Sequence, residues 1–251
     1  MRRSPAGIAV LAIVLVAVVA WGVAFASPLF HVRTIRVQGN VRLSVAEVGE
    51  LTGDLRGRNL LTLSLEGVRD SVLESPWIAR ATVTRSLPGS IQIEVEERLP
   101  TAWAVGEAGG AIVASDGVVL EHRDRRPAGL PTIGEVLALP LPGERLDAAE
   151  VRVLAALFPA VRRGVARAEA RADSVTLRLR EGGDVIYGPP ELIMEKNAVL
   201  ESLLAWTRER GIDIDYIDVR APSTPTVKPV GEPPSTTLDP HSTVEVPQTS
   251  P

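Results

Sequence analysis

The chain has 251 residues, a formal net charge of -4 and no cysteine. So mild a charge gives no electrostatic case for nucleic-acid binding. The missing cysteines exclude disulfides, thiol catalysis and thiolate-ligated zinc.

Arg2 and Arg3 precede an uncharged apolar run, Ala6 to Ala26. As a helix at ~1.5 Å per residue the run spans about 30 Å, the thickness of a bilayer core. Trp21 and Phe25 lie toward its far end, where aromatic rings favour the membrane interface. Ala24-Phe25-Ala26 also fits a signal-peptidase pattern, so a cleaved signal is the competing reading; the run, however, exceeds the ~7–15 apolar residues usual in such signals. The expectation is a single transmembrane helix over 6–26, a short cytoplasmic N-terminus over 1–5, and everything after Ser27 outside the membrane.

Phe30 to Asn40 reads as a strand that stops at Gly39-Asn40. Ser44-Val45-Ala46-Glu47 is a capping box and starts a helix that runs to Gly53. "RGRNLLTLS" is an extended connection, and Ser64 caps a second helix with Leu65, Val68, Val72 and Leu73 on one stripe, ended by Pro76. A hairpin follows: a strand from Ile78 to Arg85, a turn at Leu87 to Ser90, and a strand from Ile91 to Glu97. In the last of these Ile91, Ile93 and Val95 alternate with Gln92, Glu94 and Glu96, which gives one buried and one wet face.

After Pro100 come short strands in "TAWAV" and "AIVASDGVVLEH", the latter turning at Asp116-Gly117. "LPTIGE" and "LPLPGE" read as irregular. Asp147 to Glu150 reads as a cap for a helix through Leu157 and Phe158. A hairpin is expected around Glu181 to Asp184, then a helix from about Leu192 to Arg210 stopped by Gly211, and a last strand in "IDYIDVR". The final segment is rich in Pro, Ser and Thr and lacks the apolar content to pack, so 222–251 is expected to be disordered.

No residues with the pattern of a catalytic or metal site emerge. His31, His122 and His241 lack ligand spacing, and Ser90 and Ser115 have no His near them in sequence. "DLRGRNLLTLS" lacks the G-K-[ST] ending of a phosphate loop. Asp213, Asp215 and Asp218 could suggest calcium but read as a solvated strand entrance. Glu94 and Glu96 share an exposed strand face, where with Glu97 they are poor acid–base candidates. Arg123, Arg125 and Arg126 read as a solvated basic loop, and Trp77 and Trp103 as core or interdomain residues.

The order strand, helix, helix, strand, strand, straight after one membrane-length run, resembles the POTRA domain of FtsQ/DivIB, the bitopic bacterial division proteins. The resemblance is carried by "FHVRTIRVQGN", "SPWIARATVTRSLPGSIQIEVEERLPTAW" and "YIDVR", and extends over about Phe30 to Pro222. It implies an α+β chain: a membrane helix, a small β-α-α-β-β POTRA domain over 30–99, an FtsQ-type β-domain over 100–221 built on an antiparallel sheet, and the tail. It further implies a non-enzymatic scaffold without cofactor, nucleic acid or small-molecule substrate, held in the inner membrane at the division septum. That scaffold would recruit FtsB- and FtsL-like proteins by completing a sheet edge, with other division proteins meeting the POTRA domain. The positions matching the family's FtsB-receiving segment are Arg220, Ala221, Pro222, Ser223, Thr224, Pro225 and Thr226. A POTRA-containing envelope-assembly or secretion component and a secreted enzyme are the competing readings.

Overall fold

In a computed structural model of the chain, residues 5–107, 109–172 and 174–231 are described. They divide into two compact units that part between Leu99 and Pro100.

The first unit opens with helix α1, Pro5–Ala26. Its described side chains, residues 9–20 and Gly22, are all exposed. Among the described residues, no helix is long and apolar enough to cross a membrane. Ser27 then caps a 3-10 turn, Pro28–Phe30, its hydroxyl accepting from the Leu29 N–H. Strand β1 (Thr34–Gln38) leads to α2 (Val45–Leu51) and α3 (Leu65–Leu73). The capping box at Ser44 and Glu47 forms with both of its hydrogen bonds, and Ser64 accepts from the Gly67 N–H. Each cap satisfies N–H groups that the first helical turn leaves without partners. "RGRNLLTLS" is turns instead of extended chain. Strands β2 (Ile78–Ser86) and β3 (Ser90–Glu97) form the hairpin. In the sheet, β3 is central, parallel to β1 and antiparallel to β2. Ile91, Ile93 and Val95 bury one face of β3 against Val48, Leu55, Leu60, Val68 and Val72.

Glu97 has a structural task. Its carboxylate accepts N–H groups from Val41, Arg42 and Leu43 at 2.9, 2.8 and 3.0 Å. Charge-assisted bonds of this kind are among the stronger ones available, and here they pin the turn before α2 to the end of β3.

The second unit is a nine-stranded sheet. Its strands in chain order are β4 (Pro100–Gly106), β5 (Gly109–Ala114), β6 (Val119–Arg123), β7 (Thr132–Glu135), β8 (Val165–Arg171), β9 (Ser174–Leu179), β10 (Asp184–Gly188), β11 (Ile214–Asp218) and β12 (Thr226–Pro229). In space they run β12-β11-β10-β9-β8-β7-β4-β5-β6. The sheet is mixed, not antiparallel as expected: β4 and β7, β7 and β8, and β10 and β11 are parallel pairs. Helices α4 (Ala149–Ala156), α5 (Pro159–Gly164) and α6 (Ile193–Arg210) complete the unit.

Three further expectations need correction. "LPTIGE" is not irregular; it supplies β7, between β4 and β8. Asp147 does not cap α4, whose N-cap is Ala148 with no side-chain bond; Glu150 is instead buried and accepts the Ala170 N–H at 3.0 Å. Disorder from 222 onward fails at its start, because Thr226–Pro229 is a strand on β11. The expectations for residues 1–4 and 232–251, His241 among them, fall outside the described residues.

Candidate partner-binding edge

The free end of the large sheet is built by "IDYIDVRAPSTPTVKP". Strand β11 enters the interior because Ile217 and Val219 are fully buried against the core. It lies parallel to β10, with Val185 beside Ile217, and the Val219 N–H continues the ladder to the Ile186 carbonyl at 3.0 Å. Arg220 then folds back. Its guanidinium donates to Asp218 at 2.6 Å, and its side chain lies over Gly188. Burial opposes ionisation of Asp218, but the hydrogen bonds and charge of Arg220 outweigh it and hold the carboxyl below its ordinary range. A turn follows, closed by the Thr224 N–H on the Ala221 carbonyl at 3.1 Å. Thr226 starts β12, antiparallel to β11, with Lys228 opposite Tyr216 and Val227 opposite Ile217. Lys228 donates to Asp215 at 2.7 Å, a bond that together with the Asp215 charge raises its pKa, and its ammonium sits 5.6 Å from the Tyr216 ring centroid.

Main-chain groups alternate along an edge strand. The Val230 N–H donates to the Asp213 carbonyl at 2.9 Å. The groups of Thr226 and Lys228 therefore also face β11, and those of Pro225, Val227 and Pro229 face outward. The outward row offers three carbonyls but one N–H, that of Val227, since proline has none. The opposite edge, β6, is covered: Val119 exchanges hydrogen bonds with the loop at Gly143 and Glu144, and the His122 ring lies 2.9 Å from the Pro140 carbonyl.

Of the seven sequence candidates, Arg220 to Pro225 form the turn and only Thr226 lies on a strand. Val227, Lys228 and Pro229 were missed. The period-two signal Thr-Val-Lys was present, but the surrounding prolines masked it.

A polar cluster beneath α6 supports this end of the sheet. The Tyr187 hydroxyl on β10 donates to Asn197 Oδ1 at 3.0 Å, and Asn197 Nδ2 donates to the Ala156 carbonyl at 2.7 Å. Lys196 is buried, donates to the Pro189 carbonyl at 2.8 Å and stands 5.2 Å from the Tyr187 ring. Burial lowers the Lys196 pKa, partly offset by Glu191, and burial raises the Tyr187 phenol to about 12. The folded chain thus favours the neutral phenol. That contribution to stability is intact below the ordinary tyrosine value and is lost as pH rises through about 12. In an alkaline titration followed by phenolate absorbance, one of the two tyrosines is expected to ionise only near the upper value. Tyr187→Phe should remove that late step; a late step that survives the substitution would overturn the assignment.

The remaining sequence candidates are spread apart. Asp215 and Asp218 are each held by a cation, and Glu96 pairs with Arg80 at 3.0 Å. No cluster of three or more His or acidic residues fit for a metal occurs among the described residues. Arg126 donates to Thr132 at 2.9 Å, while Arg123 pairs with Glu121. Trp103 is buried on β4; Trp77 is half-buried, 5.8 Å from the Arg42 guanidinium.

Residues 30–98 match the sequence model of the POTRA domain, FtsQ-type. The cell division protein FtsQ of Mycobacteroides abscessus is 30% identical over 222 residues, an alignment covering 87% of this chain and 69% of that one. FtsQ of Mycobacterium leprae is 32% identical over 205 residues, covering 81% and 58%. FtsQ of Corynebacterium glutamicum is 24% identical over 209 residues, covering 79% and 87%.

Proposed function

The chain belongs to the FtsQ/DivIB family of cell division proteins, and from that premise we propose that it is a membrane-anchored, non-enzymatic scaffold whose β12 edge receives a strand from an FtsB-like partner. Supporting the anchor is the sequence of residues 5–26, which carries no charge and at helical rise would reach about 33 Å. The positive-inside rule then puts both folded units on the extracytoplasmic side, and membership in a family of cell division proteins supports a place at the division site. Supporting the edge is the position of β12 at one end of the sheet, with its outer side unpaired among the described residues. Strand addition there draws on main-chain hydrogen bonds for affinity and on side-chain contacts for selectivity. The turn Arg220–Pro225, with Thr226, flanks the partner strand, and an FtsL-like protein joins through its pairing with the FtsB-like one.

The test is co-purification of the full chain in detergent with the FtsB–FtsL-like pair of the same organism. Val227→Pro removes the one outward donor without touching the bonds to β11, and an edge strand tolerates proline. Capture is expected to weaken about tenfold, as two neighbouring hydrogen bonds are lost or distorted, with the thermal midpoint retained. Ser223→Ala with Thr224→Ala tests the turn. Undiminished capture by both variants would remove the edge from the mechanism.

A further inference from the structure

Two loops converge on the residues that follow α1. The Val32 N–H donates to the Arg58 carbonyl at 2.9 Å, and the Gly57 N–H returns a bond to Val32 at 3.0 Å. The Leu60 N–H donates to the Phe30 carbonyl at 2.7 Å, and the Arg33 N–H to the Gly89 carbonyl at 2.8 Å. Arg33, Arg56 and Arg58 are therefore carried on adjoining backbone, and all three are exposed. Arg33 donates to the Pro28 carbonyl at 3.0 Å, but none of the three makes an ion pair among the described residues. Asp54 is the sole carboxylate in residues 28–34, 54–60 and 86–90, and it caps its own turn through the Arg56 N–H at 3.1 Å. Two large apolar side chains stand in the same loops: Leu29 is 47% exposed and Leu87 59%.

Leu29 and Leu87 lie outside the buried cluster of this unit, and Asp54, committed to its own turn, leaves the three guanidinium charges without an ion-pair partner among the described residues. Their place in the chain supplies one. Leu29 lies three residues beyond the end of α1 at Ala26, so the cluster is tethered at the height of the headgroups if α1 spans the bilayer. We propose that Arg33, Arg56 and Arg58, with Leu29 and Leu87, form a docking surface for anionic phospholipid headgroups of the outer leaflet. The inference rests on the anchoring reading. The arginines take phosphate oxygens, and the leucines enter the boundary between headgroup and acyl chain, the arrangement by which interfacial surfaces combine charge with apolar area. Docking would fix the orientation of the POTRA unit to the membrane instead of leaving it to swing about Ser27.

The absence of cysteine makes a single label straightforward. The full chain carrying Leu87→Cys and an environment-sensitive fluorophore would be placed in nanodiscs of phosphatidylcholine, with and without phosphatidylglycerol. Brominated lipid serves as the quencher. Leu15→Cys, within α1, is the control. Quenching at 87 is expected with phosphatidylglycerol present and is expected to fall in high salt. Changing all three arginines to glutamine should shift the docked-to-free ratio by about two orders of magnitude. Quenching at 15 but not at 87 would overturn the docking surface and leave the anchor standing. Equal quenching at 87 in neutral lipid, or in the triple variant, would overturn the role of the arginines. No quenching at 15 would overturn the anchor, and this inference with it.

Discussion

Gly39→Ala is expected to cost the first unit about 3 kcal/mol or more, through backbone strain combined with a clash that has no exit. Gly39 ends β1 at φ +82°, where a Cβ would stand 2.1 Å from the Val95 carbonyl oxygen. That carbonyl belongs to β3, the central strand, and cannot retreat without opening the ladder to β1. A domain of this size holds only about 4–10 kcal/mol in all, so the variant would sit close to unfolding. The chain contains its own control. Gly53 is also left-handed, at φ +67°, with nothing within 4 Å of a built Cβ, so Gly53→Ala should cost only the strain, about 1 kcal/mol. Hydrogen exchange on the full chain, resolved by segment, separates the two. Equal losses of protection in β1 and β3 would show that the close approach has no energetic consequence.

Asn197→Ala should be the corresponding large loss in the second unit, about 3 kcal/mol. The substitution leaves the Ala156 carbonyl without its partner and the buried Tyr187 hydroxyl with only a long 3.4 Å bond to the Ile193 carbonyl, and a buried polar group deprived of a good partner costs roughly 1–3 kcal/mol. Tyr187→Phe should cost less, because it removes one partner and leaves Asn197 bonded to Ala156. Because the two residues are hydrogen-bonded, the double variant should be less destabilised than the sum of the singles. Additive losses in urea unfolding would mean that the two side chains act independently.

The first unit was legible because its information is local. Two Ser caps, the Gly39 stop and the strict alternation in β3 each set a structure within a few residues of themselves. In the second unit, α6 announced itself through its length and Gly211. Three strands did not. β7 has four residues, only Ile133 of them buried; it is a strand because β4 and β8 flank it in parallel, a pairing between segments far apart in sequence. "VARAEAR" in β8 has helix-forming composition that sheet context overrides. β12 lies between prolines that suggest a tail. The same gap affected the candidate site: sequence placed it in Arg220–Thr226, which is mostly turn, and the edge itself begins where that stretch ends.

The row of groups along the outer side of β12 carries a consequence for copies of this protein crowded together. Two such edges brought antiparallel about Val227 could exchange bonds only at that residue. On either side, a proline carbonyl of one copy would oppose a proline carbonyl of the other, acceptor against acceptor. In this register the edge thus disfavours its own kind, whereas a strand that brought N–H groups to Pro225 and Pro229 would complete it. An unpaired edge is thereby kept from joining two copies sheet to sheet.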